Sequence, residues 1–379
     1  MGRERRKNVR AYQRETTQCR VDLEEQFESV LEDDDDLVHH ITARGARDEP
    51  FHRWFAYRQG FAPQLVRNFL RDAATTAGPI LDPFAGSGTV AIECARLGRA
   101  SCAVDAMPTL CRIIAARFFR EVPAWPDLPP KADLGGLWAA AQHPAHQAAV
   151  LLAAARTVDG EGHRRAEKVS AAQQVATILE WMQTDCAKPL EQQALVLNAD
   201  ARDLPLRAAM FGGALTSPPY LSRYDYARVN EPMERLLGLR GKGALRRSQV
   251  RAARHLPAGH AQAELPEAVA EIERESAAQG GPARVQVVRG YFSDLARVLE
   301  GLASCLQDNA PCWINVAGTD HQRVYVPSDL ILAQMAQARG FRVEKICVAR
   351  MLRRSGRHLG ALEHVAPRES VLRLRRRPR

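Results

Sequence analysis

The sequence has 379 residues, 46% of them hydrophobic, enough to bury one large α/β core with an appended module or to form two domains. Its 53 basic against 44 acidic side chains leave a net charge of +9, which suits a polyanionic partner because Lys and Arg displace counterions from phosphates. No apolar run approaches the roughly 20 residues of a membrane span, the start MGRERRKNVRAYQRE lacks the apolar core of a secretory leader, and the eight scattered cysteines offer no zinc spacing.

A soluble, cytoplasmic chain with reduced thiols and no metal is therefore expected. Residues 1–48 run from a basic start into the acidic Glu32-Asp33-Asp34-Asp35-Asp36. Little core can form there, so a disordered or peripheral helical arm is predicted. Beyond it, Leu65, Val66, Phe69 and Leu70 fall at helical spacing. A short strand (79–81), a glycine turn, an amphipathic helix ending at Gly98 and a strand (101–104) closed by Asp105 then form a βαβ unit. Residues 121–190 read as a helical insertion, being far longer than an ordinary connection. Strands followed by loops return in ALVLNADARDLPL and FGGALTSPPY, and a second polar, helical stretch covers 236–284. A helix (291–306), a strand (312–316), a helix (328–339) and strands at 342–349 and 370–374 follow, with a basic tail at 376–379. Strands alternating with helices predict an α/β fold whose mostly parallel sheet binds ligands at its carboxyl ends.

The turn Asp82-Pro83-Phe84-Ala85-Gly86-Ser87-Gly88-Thr89 is more informative than a lone glycine pair. Gly86 and Gly88 permit a tight bend that brings backbone amides close to a ligand at a helix start. No Gly-Lys-Ser/Thr follows, which argues against a phosphate loop, and Asp82-Pro83-Phe84 is foreign to nicotinamide fingerprints. Asp82 suits a carboxylate accepting from an ammonium or amide donor of a cofactor. Asp105 ends the next strand, where it can accept both ribose hydroxyls, and Asp200, in LNAD, can receive an adenine amino group. Any one of these also fits a turn or cap role. Three at successive strand ends favour a ligand site.

DPFAGSGT followed downstream by TSPPY resembles the S-adenosylmethionine-dependent methyltransferases that modify cytosine N4 or adenine N6 in DNA. The resemblance covers most of residues 51–375 and implies a class I, Rossmann-like methyltransferase fold with a mostly parallel seven-stranded sheet. It implies S-adenosylmethionine as cofactor, held by Asp82, Phe84, Ala85, Gly86, Gly88, Thr89, Asp105 and Asp200, with Phe61 of FAPQLV beside the methionine part. Phe61 and Leu65 fit an ordinary core equally well. Double-stranded DNA is the implied partner, with a cognate restriction endonuclease as a companion of the restriction-modification type.

The catalytic loop is Ser217-Pro218-Pro219-Tyr220. An exocyclic amine is a poor nucleophile because its lone pair is delocalised into the ring. Ser217 Oγ and the Pro218 carbonyl could each accept one of its hydrogens and free that pair, while the two prolines present carbonyls rigidly. Tyr220 would stack on the extracted base, a contact of about 1–3 kcal/mol that offsets extraction. Arg223, Tyr224 and Tyr226 suit a base pocket or phosphate track, or else pack the loop. Arg246, Arg247 and Arg251, in the 236–284 region, suit target recognition or a solvated hairpin. Arg350, Arg353, Arg354, Arg357 and Arg368 suggest further phosphate contacts. Serine at 217 leans to cytosine N4 within the family, whereas the motif order departs from many cytosine enzymes. Adenine N6, an RNA base and an inactive partner subunit are the alternatives.

Overall fold

The computed structural model describes residues 18–379 apart from 47, 56, 58, 161–168, 224–225, 239–249, 251–263, 281, 322–323 and 353–366. Its main sheet contains β1 (Leu31–Asp33), β2 (Ile80–Asp82), β3 (Ser101–Asp105), β4 (Ala194–Asn198), β5 (Gly213–Thr216), β6 (Pro311–Ala317), β9 (Phe341–Met351) and β10 (Arg368–Arg376). They lie side by side as β1-β9-β10-β6-β5-β2-β3-β4. β10 is antiparallel to both neighbours, and the other pairs are parallel. A separate antiparallel hairpin, β7 (Thr319–His321) with β8 (Val324–Val326), has no counterpart among the elements expected from the sequence.

The expected α/β class I architecture is present, with eight strands among the described residues rather than seven. The additional strand comes from the segment expected as a peripheral arm. Leu31–Asp33 pairs with Ile346–Val348, and the preceding helix, Gln18–Phe27, buries Leu23 and Phe27 in the main core. Arg20 on that helix is fully buried, donating to Glu271 Oε1 at 2.7 Å and to the Tyr325 carbonyl at 2.8 Å. The charge run that marks the arm as polar hides these few inward-facing side chains, which are too sparse to make a periodic signal.

Helices Leu134–Ala140, Pro144–Gly160 and Ala171–Cys186 lie within residues 121–190, the stretch expected as a helical insertion. Their alanine-rich faces share one apolar cluster with Trp54, Ile92, Leu110, Ile113 and Met233, so the insertion is continuous with the helical layer beside β3. The basic C-terminus also has intramolecular partners. Arg376 Nε donates to the Ala303 carbonyl at 2.7 Å and Arg379 to that of Ser304 at 2.6 Å, capping the helix Pro282–Cys305 where its dipole favours cations.

Candidate active site

The chain moves outward from β2 through β3 to β4, then returns to place β5 on the other side of β2. This reversal opens a crevice at the carboxyl ends of β2 and β5, the position where open α/β sheets bind ligands. β2 ends there at Asp82 and β5 at Thr216. The turn leaving β2 holds Gly86 at φ +52° and Gly88 at φ +84°, a backbone region that costs other residues about 1–2 kcal/mol. A Cβ on Gly86 would lie 3.0 Å from Tyr57 Cε1, and one on Gly88 would lie 3.0 Å from Ile114 Cγ1. Glycine therefore keeps the turn thin, with Tyr57 on one side and the helix Pro108–Ala116 on the other.

Asp82 is 2% exposed; its Oδ1 accepts from Thr216 Oγ1 at 2.7 Å and from the Phe84 amide at 3.1 Å. Burial pushes its carboxyl up to about 7. Asp105 receives the Met107 amide on Oδ1 at 2.8 Å and the Gly86 amide on Oδ2 at 2.9 Å, and burial pushes its carboxyl up to about 6. Asp82 Oδ2 and one lone pair on each Asp105 oxygen remain for a ligand. Asp200 differs: Oδ1 accepts from the Arg202 amide and Nε, both at 2.9 Å, and Oδ2 from Arg202 Nη2 at 2.5 Å. Asp294 holds Arg202 from the far side at 3.2 Å. Asp200 is thus largely occupied by its own neighbour, a pairing that LNADAR spells out two residues apart.

These groups border a cavity of about 810 Å³, the open space at its mouth included. Phe61, Asp82, Phe84, Ala85, Gly86, Thr89, Asp105 and Asp200 all line it; Gly88 instead supports the turn from behind. From residues 217–220, expected to be catalytic, Ser217 and Pro219 line the cavity, whereas Pro218 is buried and Tyr220 stands outside the lining. Tyr220 Oη donates to Glu369 Oε1 at 3.0 Å and accepts from Ser217 Oγ at 3.4 Å. Burial and the adjacent Glu369 carboxylate raise the Tyr220 phenol well above its ordinary range.

Tyr226 lines the same cavity, and Arg223 is exposed. Tyr224, Arg246, Arg247 and Arg251 lie outside the described residues, as do Arg353, Arg354 and Arg357. Arg368 offers no phosphate contact: it is 3% exposed and bound to Asp329 Oδ2 at 3.0 Å and Glu24 Oε2 at 2.8 Å. Sequence reasoning missed Tyr57, Met107, Leu110, Asn230 and Val250, which also line the wall. Asn230 lies four residues beyond Tyr226 on one helix and shares its face, but no local motif marks it.

A family model described as UPF0020, RMKL-like, methyltransferase domain matches residues 51–256, a stretch containing both the glycine turn and the Ser217 loop. The chain belongs to this methyltransferase family. Among curated relatives, the Type II methyltransferase M.BsoBI of Geobacillus stearothermophilus is 30% identical over 91 residues, covering 24% of this chain and 18% of that protein. The Type II methyltransferase M.MjaII of Methanocaldococcus jannaschii is 35% identical over 78 residues, 21% of this chain and 15% of its own. Both matches span less than a fifth of the relative. TrmN from Thermus thermophilus aligns over 87% of this chain and 53% of its own at 16% identity, with a TM-score of 0.35.

The cofactor of this UPF0020 domain is S-adenosylmethionine, and the cavity fits it. A buried carboxylate at the end of β2 and a partly buried one at the end of β3 match an ammonium and a pair of hydroxyls, and the glycine turn lets the backbone approach closely between them. Met107, Leu110 and Phe61 supply apolar walls. Among the described residues, no helix is long and apolar enough to cross a membrane.

Proposed function

We propose that this chain methylates the exocyclic amine of a base extracted from DNA, with cytosine N4 favoured. The observation that carries the reading is that Ser217 and Pro219 line the same cavity as Asp82, Gly86 and Asp105. A loop able to accept from an amine therefore opens onto the cofactor's space. The relatives' description as Type II methyltransferases supports an enzyme of the restriction-modification class, with an endonuclease as its natural companion.

In this reading Asp82 accepts from the cofactor's ammonium, Asp105 from the ribose hydroxyls, and Phe61 packs beside the methionine part. The bound cofactor supplies an electrophilic methyl sulfonium. Ser217 Oγ and the Pro218 carbonyl accept the two amine hydrogens, and the Tyr220 ring stacks on the base. No nucleophilic side chain is required, because rate comes from positioning and fixed dipoles. Arg223 and the arginines of 236–284 are assigned to the DNA backbone and target, and that region to target recognition.

The test is nucleoside mass spectrometry on unmethylated amplified genomic DNA and on total RNA, each incubated with the protein and labelled cofactor. N4-methylcytosine in DNA is expected. N6-methyladenine alone would overturn the choice of base, and label confined to RNA would overturn the substrate. Cofactor binding with no transfer to either would leave an inactive partner subunit.

A further inference from the structure

Glu369 lies 152 residues beyond Ser217 in the chain, near the start of β10, yet its carboxylate ends a hydrogen-bonded chain that begins at the Ser217 hydroxyl. The order of donors along this chain is fixed by chemistry. A carboxylate only accepts, so the Tyr220 hydroxyl must give its proton to Glu369 Oε1, at 3.0 Å. The Tyr220 oxygen is then left as an acceptor, and Ser217 Oγ, at 3.4 Å, points its own proton at it. Arg350 Nε, 2.7 Å from Glu369 Oε2, anchors the far end, and the Glu369 side chain is 4% exposed. A Ser217 proton directed at Tyr220 would leave only lone pairs facing the cavity that Ser217 lines.

We infer that Glu369 is a positioning residue that, through the Tyr220 hydroxyl, holds Ser217 as a pure hydrogen-bond acceptor and so selects substrates that present N–H donors. The inference rests on the amine-methylation reading and deepens it. It also gives the Tyr220 hydroxyl a task separate from that of its ring. A serine free to rotate could equally donate to a ring carbonyl or ring nitrogen and hold the base with its amine misplaced. The chain removes that alternative at the ground state, before any methyl transfer.

The experiment compares Glu369→Ala, Glu369→Gln, Tyr220→Phe and the double variant Glu369→Ala/Tyr220→Phe in the full chain. Three quantities are measured: cofactor affinity by calorimetry, methyl transfer to unmethylated amplified genomic DNA, and the Tyr220 ring-carbon shift by NMR with 13Cζ-tyrosine. Losing a hydrogen bond to a charged acceptor corresponds to a rate loss of about ten- to a hundredfold. Glu369→Ala and Tyr220→Phe should each show that loss in kcat, and the double variant should be no worse than either single. Glu369→Gln keeps one acceptor oxygen for two donors, Tyr220 Oη and Arg350 Nε, and should fall between Glu369→Ala and the parent. Cofactor affinity should stay within about twofold throughout. The Tyr220 resonance, assigned by its absence in Tyr220→Phe, should move in Glu369→Ala.

Multiplicative losses in the double variant, an unmoved Tyr220 resonance, or a parallel loss of cofactor affinity would each overturn the inference. Ser217→Ala separates the two levels. If it is inactive while Glu369→Ala is fully active, only the positioning role falls; if it transfers methyl groups like the parent, the amine-acceptor reading falls and takes the positioning role with it.

Discussion

Thr216 Oγ1 donates a 2.7 Å hydrogen bond to Asp82 Oδ1, joining the last residue of β5 to the last residue of β2 across the crevice where the sheet reverses its order. The glycine turn and the Ser217 loop leave the sheet from these two residues, so this bond fixes the one relative to the other. Thr216→Val keeps the branched shape and removes the donor. Among the described residues the buried carboxylate then keeps the Phe84 amide alone, and a loss of about 1–3 kcal/mol in unfolding free energy is expected. Urea unfolding measures it. An unchanged midpoint would mean that solvent reaches Asp82 and the bond adds nothing.

Asp82 and Asp105 make the cofactor-free protein pH-sensitive in an unusual direction. Burial holds their carboxyls at about 7 and about 6, whereas an unfolded Asp titrates near about 4. Between these limits the native state binds more protons than the unfolded state, so stability falls as pH rises. The contribution is fully present below about pH 4 and is lost as pH passes the native values. Ligand donors need the ionised forms, so cofactor affinity should rise through the same upper range. Thermal melts between about pH 4.5 and 7.5, comparing the parent with Asp82→Asn, check the first statement. The difference between the two proteins should change across the window, and a constant offset would contradict it. Calorimetric titration with S-adenosylmethionine at the two ends checks the second.

Asp105 and Asp200 look equivalent in the sequence, each following a strand, but the structure separates them. Among the described residues the Asp105 carboxylate accepts from the backbone amides of Gly86 and Met107 alone, and its remaining lone pairs face the cavity. Asp200 is gripped on both oxygens by Arg202. Asp105→Asn should therefore weaken cofactor binding by about tenfold or more, the value of a hydrogen bond to a charged group. Asp200→Asn should weaken it only a few-fold, through looser anchoring of the loop. Equal losses would mean that Arg202 releases Asp200 when ligand arrives.

The parts of this site that are legible in the sequence are those where backbone geometry demands particular residues. Gly86 and Gly88 sit at positive φ, and Asp82 and Asp105 close strands whose apolar runs are evident, so local pattern alone places strand, turn and acid. The eighth strand escapes such a pattern because Leu31–Asp33 contributes one buried apolar side chain and gains its place from pairing with β9, a relation 315 residues long in sequence. Tyr220 is recognisable there as a ring and not as a hydroxyl. Its partner Glu369 stands in an Arg-rich stretch whose charges suggest phosphate contacts, and only the antiparallel seating of β10 between β6 and β9 turns that stretch inward. Non-local ion pairs such as Arg368 with Glu24 leave no periodic trace.

Arg20 offers a sharp test of whether the N-terminal segment is part of the fold. Its guanidinium is fully buried between the helix Gln18–Phe27 and the helix Glu267–Gly280, paired with Glu271 and Glu275 and donating to the Tyr325 carbonyl. Arg20→Ala leaves Glu271, 4% exposed, without its cation, and removing one partner of a buried pair costs about 3–5 kcal/mol. The segment also carries β1 and Glu24, the partner of Arg368, so its loosening should propagate to β9 and β10. Hydrogen exchange should show faster opening at Ile346–Val348 in Arg20→Ala, together with the fall in urea midpoint. Replacing both charges, as Arg20→Met/Glu271→Gln, should restore much of the loss, because a buried ion pair exchanged for groups of similar volume is often nearly neutral. If Arg20→Ala shifts neither the midpoint nor the exchange of β9, the segment is a peripheral arm after all, and the eighth strand adds nothing to the stability of the sheet.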